Sequence, residues 1–237
     1  MPEILGVNRY LILVCTIRGI DILHVRYPGQ ESVNGDLKIP TIIWYDQDGK
    51  IQAAGAEAKR DGIDIEAELG DWVKAEWSVQ RAQLRSYLYS HVYRFKVYLR
   101  PKATDAAQEL NKIPPLPLGK TALEIVADFL RYIFACTKTY IEQSHSNGAA
   151  ILESVEGQTH FVLTHPNGYE GFQQALMREA AVLAGLVPDE EAAESHISLV
   201  TEGEASLHYC IQSGLTIDSM KVSVFNLPDE IKFKNAL

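Results

Sequence analysis

The feature that most constrains the fold is a long amphipathic pattern that follows directly on a proline-rich segment. The segment "IPPLPLGK" (113–120) excludes a helix, because proline has no backbone N–H and clashes with the preceding turn. Thr121 and Glu124 then have the spacing of a capping box. Apolar side chains repeat behind them with helical spacing, at Leu123, Val126, Leu130, Ile133, Phe134, Tyr140 and Ile141. The pattern predicts a helix over residues 122–143, with Gly148 as its stop signal.

Strand and helix signals alternate after this helix. "THFVLTHP" (159–166) is typical of a short buried strand that ends at Pro166. The following segment, 168–186, predicts a helix that ends at Gly185. We expect its inner face to be formed by Phe172, Leu176, Ala180 and Leu183. Residues 196–215, "HISLVTEGEASLHYCIQSGL", predict a strand, a sharp turn and a helix. This order indicates a layered α/β domain with its sites at the carboxyl ends of strands.

The first part of the chain contains a hairpin and one apolar run. "KIPTIIWYDQDGKIQAAG" (38–55) predicts a β-hairpin around the turn "DQDG". "YLILVCTI" (10–17) predicts a buried strand, since it is far shorter than the ~20 residues of a membrane span. It also lacks the flanks of a signal peptide. The three cysteines lie far apart without a CxxC spacing, which favours a reducing compartment. We therefore expect a cytoplasmic protein.

The charge is distributed unevenly along the chain. The net charge of −9 argues against nonspecific binding of nucleic acid. Residues 78–102 are the exception, because they carry six basic residues, several tyrosines and no acid. Three interpretations are open for the first part of this stretch, 78–94. It is a patch for RNA or acidic partners whose tyrosines stack on bases, a surface helix or loop, or extra sequence from an unspliced intron.

Several segments resemble the ATPase domain of DnaK-type (heat-shock 70) chaperones, in particular the divergent cytosolic branch common in fungi. "FVLTHPNGYEGFQQALMREAAVLAGL" (161–186) resembles the family's strand, proline, turn and "xxAxxxAGL" helix. "VTEGEASLHYC" (200–210) resembles its "NEPxAA" turn and helix. "AAGAEAK" (53–59) resembles its "GDAAK" segment behind a hairpin. The resemblance implies an actin-like (ribonuclease H-like) ATPase fold, incomplete and limited to the first lobe.

The resemblance also implies a division of the chain. Residues 26–216 would form the partial ATPase domain, with an atypical basic insert at 78–94. A divergent strand region, 1–25, precedes it, and a tail, 217–237, follows it.

Three residues fall on functional positions of the family. Glu202 falls on the glutamate that contacts the metal-bound water near the phosphates of ATP. Lys59 falls on the lysine that reaches the γ-phosphate. Pro166 falls on the proline that switches between nucleotide-dependent states. ATP and Mg²⁺ are the cofactors that this resemblance implies, with the lysine and metal stabilising charge on the transferred phosphoryl group.

Each of these residues also has an interpretation without chemistry. Glu202 and Glu204 favour a helix N-terminus through its dipole, Lys59 is a solvated lysine, and Pro166 ends a strand. His165 and His208 are isolated, which is typical of structural histidines.

The glycine-rich hairpins that hold phosphates in this family have no counterpart in the sequence. Gly19, Ile20 and Asp21 match the start of the "DxGTT" hairpin, but no Gly-Thr-Thr follows. Residues 217–237 contain no "DxGGGT" hairpin, and the second lobe is not expected in this chain. Backbone N–H groups of such turns cradle phosphate, so we expect little or no ATPase activity and weak binding of ATP. The alternative is a non-enzymatic module, from a truncated homologue, that binds other proteins. Neither hypothesis involves a membrane, and nucleic acid is the weakest candidate partner.

Overall fold

A computed structural model describes residues 39–76 and 119–205, together with Leu99, Leu116 and the backbone of three short strand segments. The strands are β1 (Leu13–Ile17), β2 (Ile20–Asp21), β3 (Ile42–Tyr45), β4 (Ile51–Ala54), β5 (Val73–Glu76), β6 (Val92–Arg94), β7 (His160–His165) and β8 (Ile197–Thr201). The helices are α1 (Ile63–Leu69), α2 (Ala122–Ser144), α3 (Gly148–Ser154), α4 (Phe172–Ala184) and α5 (Glu190–His196), with a 3-10 turn at Glu57–Lys59. The remainder of the basic stretch 78–102, the "RGIDILHVRYPG" region beyond β2 and the residues from 206 onward lie outside the described residues.

The described strands form two four-stranded sheets, in the orders β2-β1-β7-β8 and β4-β3-β5-β6. The predicted hairpin is confirmed, since β3 and β4 pair antiparallel. In its turn, the carboxylate oxygen Asp46 Oδ1 accepts hydrogen bonds from the backbone N–H groups of Asp48 and Lys50, at 3.0 and 2.9 Å. Among the described strands, β5 with β6 and β7 with β8 are the parallel pairs. The architecture is therefore mixed α/β with small sheets, and the implied actin-like fold stays a prediction.

Helix α2 is the central element of the structure. Its predicted capping box is confirmed: Thr121 Oγ1 accepts the backbone N–H of Glu124, and the Glu124 carboxylate accepts the backbone N–H of Thr121. These two bonds satisfy N–H groups that a helix start leaves without partners. The buried face of α2 contacts both sheets within one apolar core, which includes Ile43 and Ala54 of one sheet and Phe161 of the other.

The sequence interpretation of Gly148 as the helix stop is wrong. Helix α2 ends at Ser144 with His145 as an extended cap, and Gly148 is the first residue of α3. A β-carbon at Gly148 would lie 2.3 Å from the carbonyl oxygen of Ile141. Glycine is therefore required here because α3 begins against the backbone of α2, and not because a left-handed cap is needed.

The predicted inner face of α4 is correct at Leu176, which packs against the core, and at Ala180, but it is wrong at its two ends. Phe172 is 71% exposed and Leu183 is 47% exposed, whereas Ala180 is buried as predicted. The core contact is made by Gln173, Met177, Ala180, Ala181 and Ala184. The predicted C-cap is confirmed, because Gly185 has a left-handed φ of 75°.

Within the described part of the chain, no helix has both the length and the hydropathy needed to cross a membrane.

Candidate functional site

Two of the three sequence-predicted site residues lie at the same edge of one sheet. Strands β7 and β8 run parallel, and their last paired residues are His165 and Thr201. Pro166 and Glu202 are the next residues of the two strands, so both stand at the carboxyl edge of the parallel pair. Ligand sites of open α/β sheets form at this edge, because the connecting loops diverge there.

Glu202 is the first residue of a helical turn at 202–205, and it is only 4% exposed. Thr201 caps this turn, since its hydroxyl oxygen accepts the backbone N–H of Glu204 at 3.1 Å. The interpretation that places Glu202 and Glu204 at a helix N-terminus is therefore confirmed for both residues. The Glu202 carboxylate is enclosed by the protein, while Glu204 is exposed to solvent. The paired acids of the sequence thus occupy two different environments.

The turn after β7 is built around the carbonyl oxygen of Pro166. The ring nitrogen His165 Nδ1 lies 2.9 Å from this oxygen, and the backbone N–H of Tyr169 donates to it at 3.3 Å. His165 and Tyr169 are both buried, and their rings stack with centroids 5.9 Å apart. The side-chain amide of Gln174 donates to the carbonyl of Tyr169 at 3.2 Å, which joins the turn to α4.

The turns after β7 and β8 approach each other closely. A β-carbon built on Gly203 would lie 3.9 Å from Asn167 Oδ1 and 4.0 Å from Asn167 Nδ2. The edge therefore presents an amide from one turn next to the residue that follows Glu202. The sequence interpretation treated His165 as an isolated structural histidine and did not single out Asn167 or Tyr169. A histidine directly before the strand-ending proline was the signal that could have found the first of them.

Lys59 lies outside this edge, next to a strand of the other sheet. It is the last residue of the 3-10 turn after β4, and its side chain is exposed. This turn is anchored by a hydrogen bond of 3.2 Å from the indole N–H of Trp44 to the carbonyl of Ala58. The structure thus brings Pro166 and Glu202 to one edge and places Lys59 on a separate element.

A buried polar cluster, which no sequence pattern indicated, joins α2 to β3. Asp128 Oδ2 accepts hydrogen bonds from the phenol of Tyr45 at 3.0 Å and from Lys120 Nζ at 2.6 Å. Asp128 Oδ1 pairs with Arg131 at 2.7 Å. Burial, reinforced by the Asp128 carboxylate, raises the pKa of Tyr45 well above the usual value of a tyrosine. All of these polar groups have partners, so the cluster is a structural connection and not an unpaired reactive group.

A groove of about 730 Å³ lies at the opposite end of β7. Its walls come from the second half of α2, from α3, and from the connection between α4 and α5. Phe134, Leu152, Phe161 and Leu186 contribute to its apolar lining. Thr159 directly precedes β7 and Phe161 lies at its start, so the groove is distinct from the edge that carries Glu202.

The Mg²⁺ that the resemblance implies stays a prediction for the described residues. Nowhere among them do three or more His, Cys, Asp or Glu side chains form a group that could hold a metal ion. Mg²⁺ is bound through one or two carboxylates together with water and substrate phosphates, and Glu202 supplies one carboxylate. Chemically, the Asn167 amide at this edge can donate and accept hydrogen bonds, and the Glu202 carboxylate can accept them.

A comparison of the chain with protein-family models, with curated proteins and with solved structures finds no match in any of the three.

Proposed function

We propose that the chain is a first-lobe part of a heat-shock-70-like nucleotide-binding domain with little or no ATPase activity. The proposal rests on the resemblance of residues 161–186 and 200–210 to that family. The observation that carries it is the parallel pairing of β7 with β8, which puts Pro166 and Glu202 at one sheet edge. A strand edge with a proline on one strand and an enclosed glutamate on the next has the order that the resemblance implies.

The weak activity follows from the residues that would grip phosphate. The segment after Asp21 reads "ILHVRYPG", without the Gly-Thr-Thr turn whose N–H groups bind phosphate oxygens. Each lost donor of this kind costs ~3 kcal/mol of transition-state stabilisation. Glu202 would then position water near a bound phosphate without the groups that stabilise the transferred charge.

Calorimetric titration with Mg-ATP tests the nucleotide-binding part of the proposal. We expect binding in the millimolar range that weakens further in Glu202→Gln, with turnover indistinguishable from buffer. The matched control is Glu204→Gln, because Glu204 is exposed two residues away. Low-micromolar binding, or turnover that depends on Glu202, would contradict the predicted inactivity. Equal binding by both variants and the unaltered chain would contradict the assignment of Glu202.

A second candidate function is a non-enzymatic protein-interaction module. It is favoured by the exposed side chains of Phe172 and Leu183 on α4. Residues eleven apart lie about three helical turns apart on nearly the same side, so the two side chains belong to one apolar stripe. Large exposed apolar side chains in one stripe mark contact surfaces more often than isolated ones do.

Measuring the molar mass in solution against protein concentration separates this candidate from the first. If the stripe is a contact surface between copies, the mass rises with concentration, and Phe172→Ser with Leu183→Ser keeps the chain monomeric. The control replaces Glu179 on the same helix, which is exposed and charged. A monomer at every concentration, unaffected by either change, argues against association between copies through this stripe.

A further inference from the structure

We propose that His165 is a positioning residue, which locks the turn that carries Pro166 in place beside Glu202 and Gly203. The inference rests on the proposed function for the role of that edge. Beyond that function, the inference identifies His165 as the residue that holds the turn after β7.

The burial of His165 follows from its place in β7. Alternate residues of a strand point to the same face of the sheet. Phe161 and Leu163 belong to the main core, so His165 continues the same row at the strand's end. An imidazole in such a row is 3% exposed and needs a partner for its ring N–H. The nearest acceptor shown is the carbonyl oxygen of Pro166, 2.9 Å from Nδ1.

This contact determines where the ring hydrogen lies. A carbonyl oxygen only accepts hydrogen bonds, so the hydrogen of a neutral imidazole must be on Nδ1. The same oxygen accepts the backbone N–H of Tyr169, whose ring stacks on the imidazole with only 8° between the planes. His165 therefore grips the turn at two points, through a hydrogen bond to its first residue and through a ring contact to its fourth.

The turn requires such a grip because its own backbone is permissive. Gly168 and Gly171 both have positive φ angles, of 84° and 40°. Glycine has access to many backbone conformations, so glycines alone do not hold a turn in one shape. Asn167 lies between the Pro166 carbonyl and Gly168, and its amide is the group that approaches Gly203. Loss of the His165 grip should therefore loosen the contact between the two turns at the edge.

Two substitutions separate the hydrogen bond from the packing. His165→Phe keeps an aromatic ring for Tyr169 but removes the donor. His165→Asn removes the ring but places an amide N–H close to the position of Nδ1. A residue that only fills space would tolerate phenylalanine better than asparagine, whereas a residue that acts through the hydrogen bond would show the reverse.

Hydrogen exchange of backbone amides measures the outcome without any ligand. In His165→Phe we expect exchange at Tyr169 and at Glu204 to accelerate about tenfold, because one hydrogen bond of ordinary strength is lost. His165→Asn should return both rates to within about threefold of the unaltered chain. Equal exchange in all three proteins, or protection retained in phenylalanine and lost in asparagine, would overturn the proposal.

A nitrogen NMR spectrum of the unaltered chain gives a test that no folding defect can disturb. The His165 imidazole should show its hydrogen on Nδ1, and a hydrogen on Nε2 alone would overturn the proposal.

Repeating the exchange measurement with millimolar Mg-ATP then tests the function on which the proposal rests. If Mg-ATP leaves exchange at 166–171 unchanged while the phenylalanine and asparagine variants behave as expected, the nucleotide role fails and the role of His165 stands.

Discussion

The two sheets are attached to the same helix by different kinds of contact. The first half of α2 holds β3 through the polar cluster, in which Asp128 accepts hydrogen bonds from Tyr45 and Lys120. The second half holds β7 through apolar packing, in which Phe134 meets Phe161 edge-to-face with ring centroids 5.5 Å apart. The attachment of β3 adds matched polar groups to the apolar core that α2 shares with both sheets, whereas the attachment of β7 depends on filled volume.

This difference teaches how each attachment fails. Apolar packing weakens in proportion to the volume and area that are removed. A buried polar cluster fails abruptly, because the loss of one member leaves the others without partners. The candidate site belongs to the sheet with the apolar attachment, while Lys59 belongs to the sheet with the polar one. Perturbing either attachment therefore tests the support of one part of the proposed site.

The largest loss in free energy of unfolding is expected where a buried side chain is removed from the apolar attachment. Phe161→Ala should lower the free energy of unfolding by about 4 kcal/mol, because a fully buried aromatic ring leaves a cavity between α2 and β7. Urea denaturation measures the change. The matched control is Phe172→Ala on α4, whose ring is mostly exposed and should matter by less than about 0.5 kcal/mol. If both variants lose the same free energy of unfolding, the packing of Phe161 does not hold β7 on α2.

Removing the centre of the polar attachment should cost somewhat less. Asp128→Ala should lower the free energy of unfolding by about 3 kcal/mol, because Tyr45 and Lys120 lose the carboxylate that they share. Asp128→Asn keeps an acceptor for the tyrosine and should recover part of this loss. The same denaturation experiment compares the two variants. If alanine proves as stable as asparagine, the carboxylate does not hold the cluster together.

The contact between α2 and the turn after β4 predicts an intermediate effect. A β-carbon on Gly55 would lie 2.6 Å from a ring carbon of Tyr132, in a residue whose φ is +61°. Gly55→Ala should therefore lower the free energy of unfolding by about 2 kcal/mol, from strain and overpacking together. Gly62→Ala is the matched control, because Gly62 also has a positive φ but open space around it. Gly62→Ala should lower the free energy of unfolding by about 1 kcal/mol, and this loss measures the backbone strain without any overpacking. If Gly62→Ala lowers the free energy of unfolding as much as Gly55→Ala does, the contact with Tyr132 does not contribute to the loss.

The smallest effect concerns a single hydroxyl group and its dependence on pH. Tyr45→Phe should cost about 1 kcal/mol at neutral pH, from one buried hydrogen bond. The pKa of Tyr45 is raised by burial and by Asp128, whereas the same phenol ionises near pH 10 in the unfolded chain. Above pH 10 the unfolded state binds fewer protons, so the stability that Tyr45 contributes is complete below pH 10 and is lost as the pH rises.

Denaturation between pH 8 and 11 measures this loss. The advantage of the unaltered chain over Tyr45→Phe should shrink above pH 10. Tyr132→Phe is the matched comparison, because burial also raises the pKa of Tyr132 without Asp128 among the causes. A difference that stays constant to pH 11 would contradict a tyrosine held in its neutral form.

Features encoded by neighbouring residues could be predicted from the sequence. The capping box of Thr121 and Glu124, the helix behind it and the left-handed cap at Gly185 all depend on contacts within one or two turns. Turn chemistry predicted the hairpin around Asp46 in the same way. For the candidate site, the resemblance to DnaK-type chaperones indicated Pro166 and Glu202, and their roles stay predictions. The parallel register of β7 and β8 then placed both at one edge.

Features that depend on distant residues could not be predicted. The hydrogen bond between Tyr45 and Asp128 joins positions 83 residues apart, and no local pattern encodes it. The buried face of α4 was misjudged, since Met177 and Ala181 lie in the core that α4 shares with α2, while the apolar side chain of Phe172 is exposed. Gly148 looked like a helix stop, but its lack of a side chain serves the approach of two backbones.

By itself, then, the sequence determined α2 with its capping box, the C-terminal cap of α4, the hairpin and the identity of the acids at 202 and 204. Only the tertiary structure separated those acids, because β8 ends where Glu202 is enclosed and Glu204 is turned to solvent. It also placed His165 in one sheet and Lys59 in a turn that follows a strand of the other sheet. The physical reason is the sequence separation of the residues that decide each feature. Caps and turns are decided within a few residues. Burial and pairing are decided by whichever distant element packs against them.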